Sequence, residues 1–302
     1  MDDLTSKETG TQVIAHCFVG LVALCAILPF ILLVVASFTN NAWATANGFS
    51  FFPGQLSLDA YRYVGVRWDM LGHAYMMTLI ITAIGTALSI IISTLFAYSI
   101  SQYDVPGMRI LTFMLIFTML FNGGLVATYY SYINFFRVKN TIWALLMPNL
   151  MMNAFNVILV RNYFRHSIPL SLPEAARIDG ASEFRIFSQI MMPLSKPIIA
   201  TIGLLTGLSY WNDWQNGMYY MTERGGSHLF TIQIVLNNIN ENIQVLTQNA
   251  SQAAQMGVQL SKFPSTTVRM AIAVIGILPI LVLYPFFQRY FVKGITLGGV
   301  KE

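Results

Sequence analysis

Long apolar stretches separated by shorter polar ones dominate the hydrophobic pattern of this chain. A helix needs about 17–25 apolar residues to cross a hydrocarbon layer of about 30 Å. Stretches of this kind cover residues 13–38, 73–100, 110–132, 141–160, 198–215 and 268–287. The pattern predicts an all-α membrane protein with six transmembrane helices in one domain, residues 1–302, and with both termini on the same side.

Small residues recur at helical spacing in two of these stretches. In the second they fall every four residues, at Gly85, Ser89, Ser93 and Ala97, and in the fifth at Gly203 and Gly207. Such stripes allow two membrane helices to approach closely, although small residues are also simply common in membrane helices. We therefore expect a packed bundle.

Helix-breaking residues interrupt several stretches, namely Pro29, Pro148, Pro279, Pro285 and the pair Gly123 and Gly124. They kink or unwind helices. Membrane proteins tolerate this where neighbouring groups or a water-filled cavity satisfy the freed backbone. The interruptions favour a solute pathway through the bundle.

The second half of the chain contains one long polar and amphipathic stretch, residues 173–197. Ser171 and Glu174 have the spacing of a capping box, and Pro173 is tolerated in a first helical turn. Gly180 suits the left-handed conformation that ends a helix. A short helix followed by a glycine hinge is therefore predicted, although the stretch could also simply shield the bundle.

A second short helix is predicted after the hinge. Ser182 is a suitable N-cap, and the side chains of Phe184, Phe187 and Met191 recur at the spacing of one helical face. We expect Pro193 to end this helix and Pro197 to open the next membrane helix.

Composition supports membrane insertion and the charges indicate its direction. The chain is 55% hydrophobic and 10% charged, with a mean hydropathy of +0.59. Its net charge of +4 comes from scattered Lys and Arg, which indicates membrane topology rather than nucleic-acid binding. Ten of the 17 basic residues lie on the side of the termini, five of them within residues 161–196. Both termini and the loop at 163–196 are therefore predicted to be cytoplasmic.

The polar loop resembles the EAA loop of binding-protein-dependent ABC importer permeases. The text "EAARIDGASEFRIFSQIMMPLSKP" is similar to the carbohydrate-uptake, MalG-like branch. "NTIWALLMPNLMMNAFNVILVRNYFR", "YWNDW" and "QRYFVKGITLGGVKE" resemble the subgroup that pairs with LplB-like permeases, including permeases of alginate and other oligosaccharide importers. The resemblance covers nearly the whole chain apart from residues 222–263.

This resemblance implies a type I ABC importer permease in the cytoplasmic (inner) membrane. The implied partners are a second permease subunit as heterodimer, two ATPase subunits that bind ATP and Mg, and an extracytoplasmic solute-binding protein. The loop would form a coupling helix on the ATPase, with its contact residues at Glu174, Ala175, Ala176, Arg177, Asp179, Gly180, Ala181, Phe187 and Pro193. No cofactor, metal or catalytic residue is expected, and the chain has no GxxxxGK[ST] loop of its own.

Polar residues in and near the apolar stretches are candidates for the solute pathway. They are Asn122, Asn149, Asn153, Asn156, Trp211, Asn212, Asp213 and Trp214. Asn149, Asn153 and Asn156 have the spacing of one helix face, which suits hydrogen bonding between helices slightly better than sugar contact. The aromatic cluster suits either sugar stacking or an interfacial belt. The external segment, residues 218–267, is assigned to contact with the binding protein.

Other functions are less consistent with the chain. A secondary transporter normally needs an ionisable relay inside the membrane, and Asp213 is the one acid within the six predicted spans, at the outer edge of the fifth. A membrane metalloenzyme would need clustered ligands, yet the four His form no HExxH motif and Cys17 and Cys25 lie along one helix. A permease of the same class for a non-sugar solute stays open.

Overall fold

The computed structural model describes residues 2–66, 68–102, 105–248 and 265–296, and helices dominate them. The first half contains α1 (Asp2–Ser37), α2 (Asn41–Asn47), α3 (Asp59–Gly65), α4 (Trp68–Ser101), α5 (Met108–Leu120), α6 (Gly124–Asn134) and α7 (Trp143–Leu146). The second half contains α8 (Ala154–His166), α9 (Ser171–Ile178), α10 (Glu183–Ile186), α11 (Met192–Leu194), α12 (Lys196–Asn212), α13 (Gln215–Tyr220), α14 (Glu223–Gly226), α15 (Ile232–Gln248) and α16 (Ser265–Thr296). A π-helical segment, Phe187–Met191, joins α10 to α11.

Two helices among the described residues are long and apolar enough to cross a bilayer unaided. They are Gln12–Ser37 within α1 and the whole of α4. A third candidate joins α12 to the helical segment before it across an 81° bend, and Met108–Leu120 and Thr266–Val282 are shorter apolar helices. An all-helical membrane protein is confirmed at this level.

The chain divides into two compact units. Unit 1 comprises residues 1–69 and 238–278. Within it, the Asn40 side chain caps α2 by accepting the backbone N–H groups of Ala42 and Trp43. The Asn41 side chain accepts the N–H groups of Thr266 and Thr267 at 3.1 and 3.4 Å, which satisfies two donors at the start of α16.

Unit 2 comprises residues 70–237 and 279–302, and α4 supplies much of its core. The predicted small-residue stripe of α4 is confirmed, because Gly85, Ser89, Ser93 and Ala97 are all buried. The glycines of α12 lie against the same helix: a Cβ at Gly203 would meet Ile90, and one at Gly207 would meet Thr86. Close packing of α4 on α12 explains both stripes.

Two of the five predicted interruptions break a helix, and the other three do not. Residues 121–123 separate α5 from α6, with Gly124 at φ +80°, so the predicted interruption at the glycine pair is confirmed. Residues 147–153, which include Pro148, separate α7 from α8. The helix assignment runs unbroken through Pro29, Pro279 and Pro285.

A larger side chain at Gly85 is expected to destabilise unit 2 strongly. A Cβ there would lie 2.4 Å from the ring of Tyr210, whose hydroxyl is held by a 2.8 Å hydrogen bond to the Leu146 carbonyl. Gly85→Leu should cost about 3 kcal/mol or more, since overpacking a fixed core costs about 1–3 kcal/mol. Thermal unfolding of the purified complex measures this. Gly20→Leu, which meets nothing within 4 Å, is the control and should leave the melting temperature unchanged.

Candidate functional site

The first helix of the polar loop, α9, begins without a side-chain cap. The predicted capping box of Ser171 and Glu174 is wrong, because Leu170 is the N-cap and makes no side-chain cap bond. Backbone carbonyls of Pro169 and Leu170 instead accept the N–H groups of Leu172 and Glu174, at 3.2 and 3.3 Å. The preceding turn thus satisfies donors that a side chain was expected to satisfy.

The hinge after α9 is a Schellman turn centred on Gly180. Gly180 has φ +79°, as predicted. Its N–H donates to the Arg177 carbonyl at 3.0 Å, and the N–H of Ala181 donates to the Ala176 carbonyl at 2.9 Å. This is the 5→2 and 6→1 pairing of the motif. A Cβ at Gly180 would meet nothing within 4 Å, so the backbone conformation alone requires glycine there.

A second helical segment follows the hinge and is longer than predicted. Ser182 caps α10 by accepting the N–H of Arg185 at 3.4 Å, which confirms the prediction. The segment then continues through the π-helical turns and α11 to Leu194, so Pro193 lies within it and does not end it. A π-helical segment has a wider bonding pattern, and here it ends at Met191, two residues before the proline, which lacks an N–H.

The inner face of this segment anchors the loop. Ile186, Phe187 and Met191 are buried in one cluster with residues of α4 and α8. The ring of Tyr98 lies 5.3 Å from that of Phe187 and 6.2 Å from that of Phe164. Phe184 was expected on this face, but its side chain is 74% exposed, because Ile186 occupies the inward position instead.

An ion pair closes the hinge. The Arg177 Nε donates to Glu183 Oε1 at 2.6 Å, and Arg177 Nη2 donates to the side-chain oxygen of Gln102 at 2.8 Å. The Tyr98 hydroxyl donates to Glu183 Oε2. The two short helices are thereby joined to each other and to the C-terminal end of α4.

The hydrogen bond with Arg177 is the main cause that lowers the pKa of the Glu183 carboxyl, and the same bond raises the pKa of Arg177. A carboxyl whose pKa is lower when folded stabilises the fold fully above its unfolded pKa. That contribution is lost as the pH falls through the lower, folded value. The ion pair therefore contributes to the stability of the hinge at neutral pH.

Two arginines of α8 fix the same end of α4. Arg165 donates from Nε to the Ser101 carbonyl and from Nη2 to the Ile100 carbonyl, both at 3.0 Å. Arg161 reaches the Ile100 carbonyl at 3.4 Å. Positive charge at a helix C-terminus satisfies its last carbonyls and favours its dipole. The loop thus rests on a base in which α4 and α8 are held together.

The outer face of the loop is exposed and partly apolar. Ile178 is 87% exposed and Glu174, Ala175, Asp179 and Gly180 are also exposed, with Ala176 and Ala181 partly buried. Most of the predicted coupling residues are therefore solvent-accessible, although Ala176 and Ala181 also pack against the core. Phe187 belongs to the core beneath them. Sequence reasoning missed Tyr98, Gln102 and Glu183. Tyr98 and Gln102 are distant in sequence from their hydrogen-bond partners, and only Arg177 and Glu183 are close enough for their pairing to be suggested by spacing.

The structure separates the candidate pathway residues into different environments. The prediction that Asn149, Asn153 and Asn156 share one helix face is wrong. Asn149 lies in the irregular residues 147–153, with φ +60°. Asn153 is the N-cap of α8. Asn156 is buried, and its Nδ2 donates to Thr206 Oγ1 at 3.2 Å, which is a hydrogen bond between α8 and α12.

Asn122 and Asn149 do lie together, along one polar cavity of about 210 Å³. Trp211 instead is buried beside an apolar cavity of about 360 Å³ lined by α4 and α12. Asn212 donates to the Leu208 carbonyl of its own helix, Asp213 accepts the N–H of Asn216, and Trp214 is partly exposed. The polar cavity of Asn122 and Asn149 is also lined by Gln215, which belongs to the aromatic and amide cluster in the sequence, and by Thr128 and Tyr219, which sequence reasoning missed.

Comparison with known proteins gives consistent matches. Residues 103–297 match the family described as binding-protein-dependent transport system inner membrane component. The chain is similar to the polygalacturonan/rhamnogalacturonan transport system permease protein YtcP of Bacillus subtilis (strain 168), with 37% identity over 98% of this chain and 99% of that one. It is also 35% identical to the protein LplC of the same organism, over 94% of this chain and 92% of that one.

A solved structure has the same fold. It is a bacterial ABC transporter involved in the import of the acidic polysaccharide alginate. The TM-score is 0.76 at 30% sequence identity, over 92% of this chain and 95% of the other.

Proposed function

The chain belongs to the family of binding-protein-dependent transport system inner membrane components, and we propose on that basis that α9 and α10 couple it to a separate ATPase. It is a permease subunit of an ABC importer for a sugar or oligosaccharide, and it works with a partner permease, ATPase subunits and a solute-binding protein. The partner ATPase subunits bind ATP with Mg and hydrolyse the ATP, and this chain does not.

One observation carries the coupling proposal: an exposed surface is built on a rigid base. Ile178 and Phe184 are exposed on the outside of the two short helices. On the inside, Arg177, Glu183 and Tyr98 join those helices to α4. A docked ATPase that moves the surface therefore moves the end of α4 with it. This is a rigid-body switch between two states of the bundle.

The proposed topology has six spans in one permease domain of type I ABC importer architecture. Both termini and the EAA loop face the cytosol. Five basic residues within 161–196 support this orientation. The second permease subunit is LplB-like, and this chain and that subunit form a heterodimer around the pathway.

The solute side is proposed to lie at the opposite ends of the helices. The external segment 218–267 contacts the solute-binding protein; its residues 249–264 are outside the described part. Asn122 and Asn149 line the pathway, a role supported by the polar cavity that they share. Asn156 and Trp211 contribute packing, in keeping with their burial.

Uptake by the reconstituted complex tests the function. Proteoliposomes that contain both permeases, the ATPase and the binding protein should take up an oligosaccharide only when ATP is supplied on the side where the ATPase lies. An ionophore should leave this uptake intact, because no ion gradient drives it. Loss of uptake with the ionophore would indicate a secondary transporter. Uptake of amino acids or peptides but of no sugar would indicate a non-sugar importer.

A further inference from the structure

A polar cavity lies in unit 2 where three helices are interrupted. The interruptions are residues 121–123, 147–153 and 213–214. Polar side chains that line the cavity are Asn122, Thr128, Asn149, Gln215, Asn216 and Tyr219. Non-helical backbone at membrane depth is tolerated where it is buried in protein or lines a water-filled cavity. Transporters commonly form their solute sites at such discontinuous helices.

The interruptions are held open by specific hydrogen bonds. The Asn122 side chain accepts the Gly124 N–H at 2.8 Å, and Asn216 Nδ2 donates to the Pro148 carbonyl at 3.0 Å. Asn149 keeps a left-handed backbone, φ +60°, that is uncommon for a residue other than glycine. Backbone of this kind concentrates at functional sites. The cavity is therefore bounded by backbone that specific hydrogen bonds hold in place.

The chemistry of the lining points to hydroxyl groups. A carboxamide offers both a donor and an acceptor, which is what neighbouring sugar hydroxyls require. Asn149 and Gln215 present such groups from two different interruptions, and Tyr219 adds an aromatic side chain. Among the described residues that line the cavity there is no Lys, Arg or His, so a ring carboxylate would find no cation there.

We propose that this cavity is a subsite for one sugar ring of the transported oligosaccharide, recognised through its hydroxyls and not through any carboxylate. The volume of about 210 Å³ is below the ~300–1,000 Å³ of sites for larger ligands and suits a single ring. The proposal rests on the proposed function, because it assumes that the cavity belongs to a sugar pathway. Discrimination between acidic and neutral sugars then occurs elsewhere in the importer.

Two variants test the subsite in the reconstituted complex. Asn149→Gly removes the carboxamide and also relieves the left-handed strain, so the chain should fold at least as well. Gln215→Ala removes the other carboxamide. Each should lower oligosaccharide uptake about tenfold, the loss expected for one good hydrogen bond in the pathway. Asn134→Ala removes an exposed carboxamide that bonds its own helix and is the control.

Three probes separate the possible outcomes: arabinotriose, maltotriose and trigalacturonate. If the wild type takes up none of them, the proposed function fails and the subsite with it. If it takes up any of them and both variants match it, only the subsite fails. If the wild type takes up both a neutral probe and the acidic one, a loss confined to the acidic probe would also overturn the proposal, because the cavity would then recognise the carboxylate. An equal loss for every transported probe is the expected result.

Discussion

Replacing Gly180 with valine is expected to abolish most solute-stimulated ATP hydrolysis while the chain stays in the membrane. At φ +79° a non-glycine residue costs about 1–2 kcal/mol, and a β-branched one more. No neighbour lies within 4 Å of the added Cβ, so the strain is relieved by opening the Schellman turn rather than by moving other side chains. Stimulation should fall about tenfold or more, since 1.4 kcal/mol is a factor of ten.

Two controls separate coupling from stability. Gly180→Asn should retain most of the stimulation, because Asn tolerates the left-handed region. Gly48→Val introduces strain at another positive-φ glycine, in unit 1 at φ +77° and ψ −170°, again with no neighbour within 4 Å. It should lower the melting temperature comparably without affecting stimulation. Full stimulation in Gly180→Val would show that the turn does not transmit the ATPase signal.

Reversing the charge of Arg177 is expected to uncouple the importer with little loss of stability. Arg177→Glu places a second carboxylate beside Glu183 and removes the bond to Gln102. The pair is partly exposed, so the free energy of unfolding should change by less than about 1 kcal/mol. The ratio of ATP hydrolysis with solute to that without solute should nevertheless fall by up to about fivefold, because about 1 kcal/mol changes the population of the closed hinge by that factor.

Charge exchange tests whether the pair itself is responsible. The double variant Arg177→Glu with Glu183→Arg should recover most of the stimulation. Arg62→Glu breaks an exposed pair with Asp59 in unit 1, where the charged atoms are 3.7 Å apart, and should leave stimulation unchanged. Equal losses in Arg62→Glu and Arg177→Glu would attribute the effect to net charge and not to the hinge.

Local chemistry explains which features the sequence predicted. The left-handed Gly180, the Ser182 cap and the glycine stripes each depend on neighbours within a few residues or on a repeat along one helix. The capping box failed because the backbone of Pro169 and Leu170 competed for the same donors. Phe184 faces outward because the register after the cap places Ile186 inside.

Features that depend on distant residues were not predictable from one sequence. Tyr98 and Glu183 are 85 positions apart, and no spacing rule connects them. The same holds for Asn122, Asn149 and Gln215, which meet only because three helices are interrupted near one cavity. The helical spacing of Asn149, Asn153 and Asn156 wrongly predicted a shared face, because residues 147–153 are not helical.

Cross-linking tests the docking of the loop on the ATPase most directly. Cysteine at position 178 or 184, in a chain with Cys17 and Cys25 replaced by serine, should form a cross-link to the ATPase that changes with ATP. The native Ile178 and Phe184 are 87% and 74% exposed. The control is Phe52→Cys, because Phe52 is 91% exposed in unit 1. A membrane-impermeant thiol reagent should label this cysteine when it is added outside and not when it is added on the ATPase side. Labelling of positions 178 and 184 from outside, without any ATPase cross-link, would contradict the account.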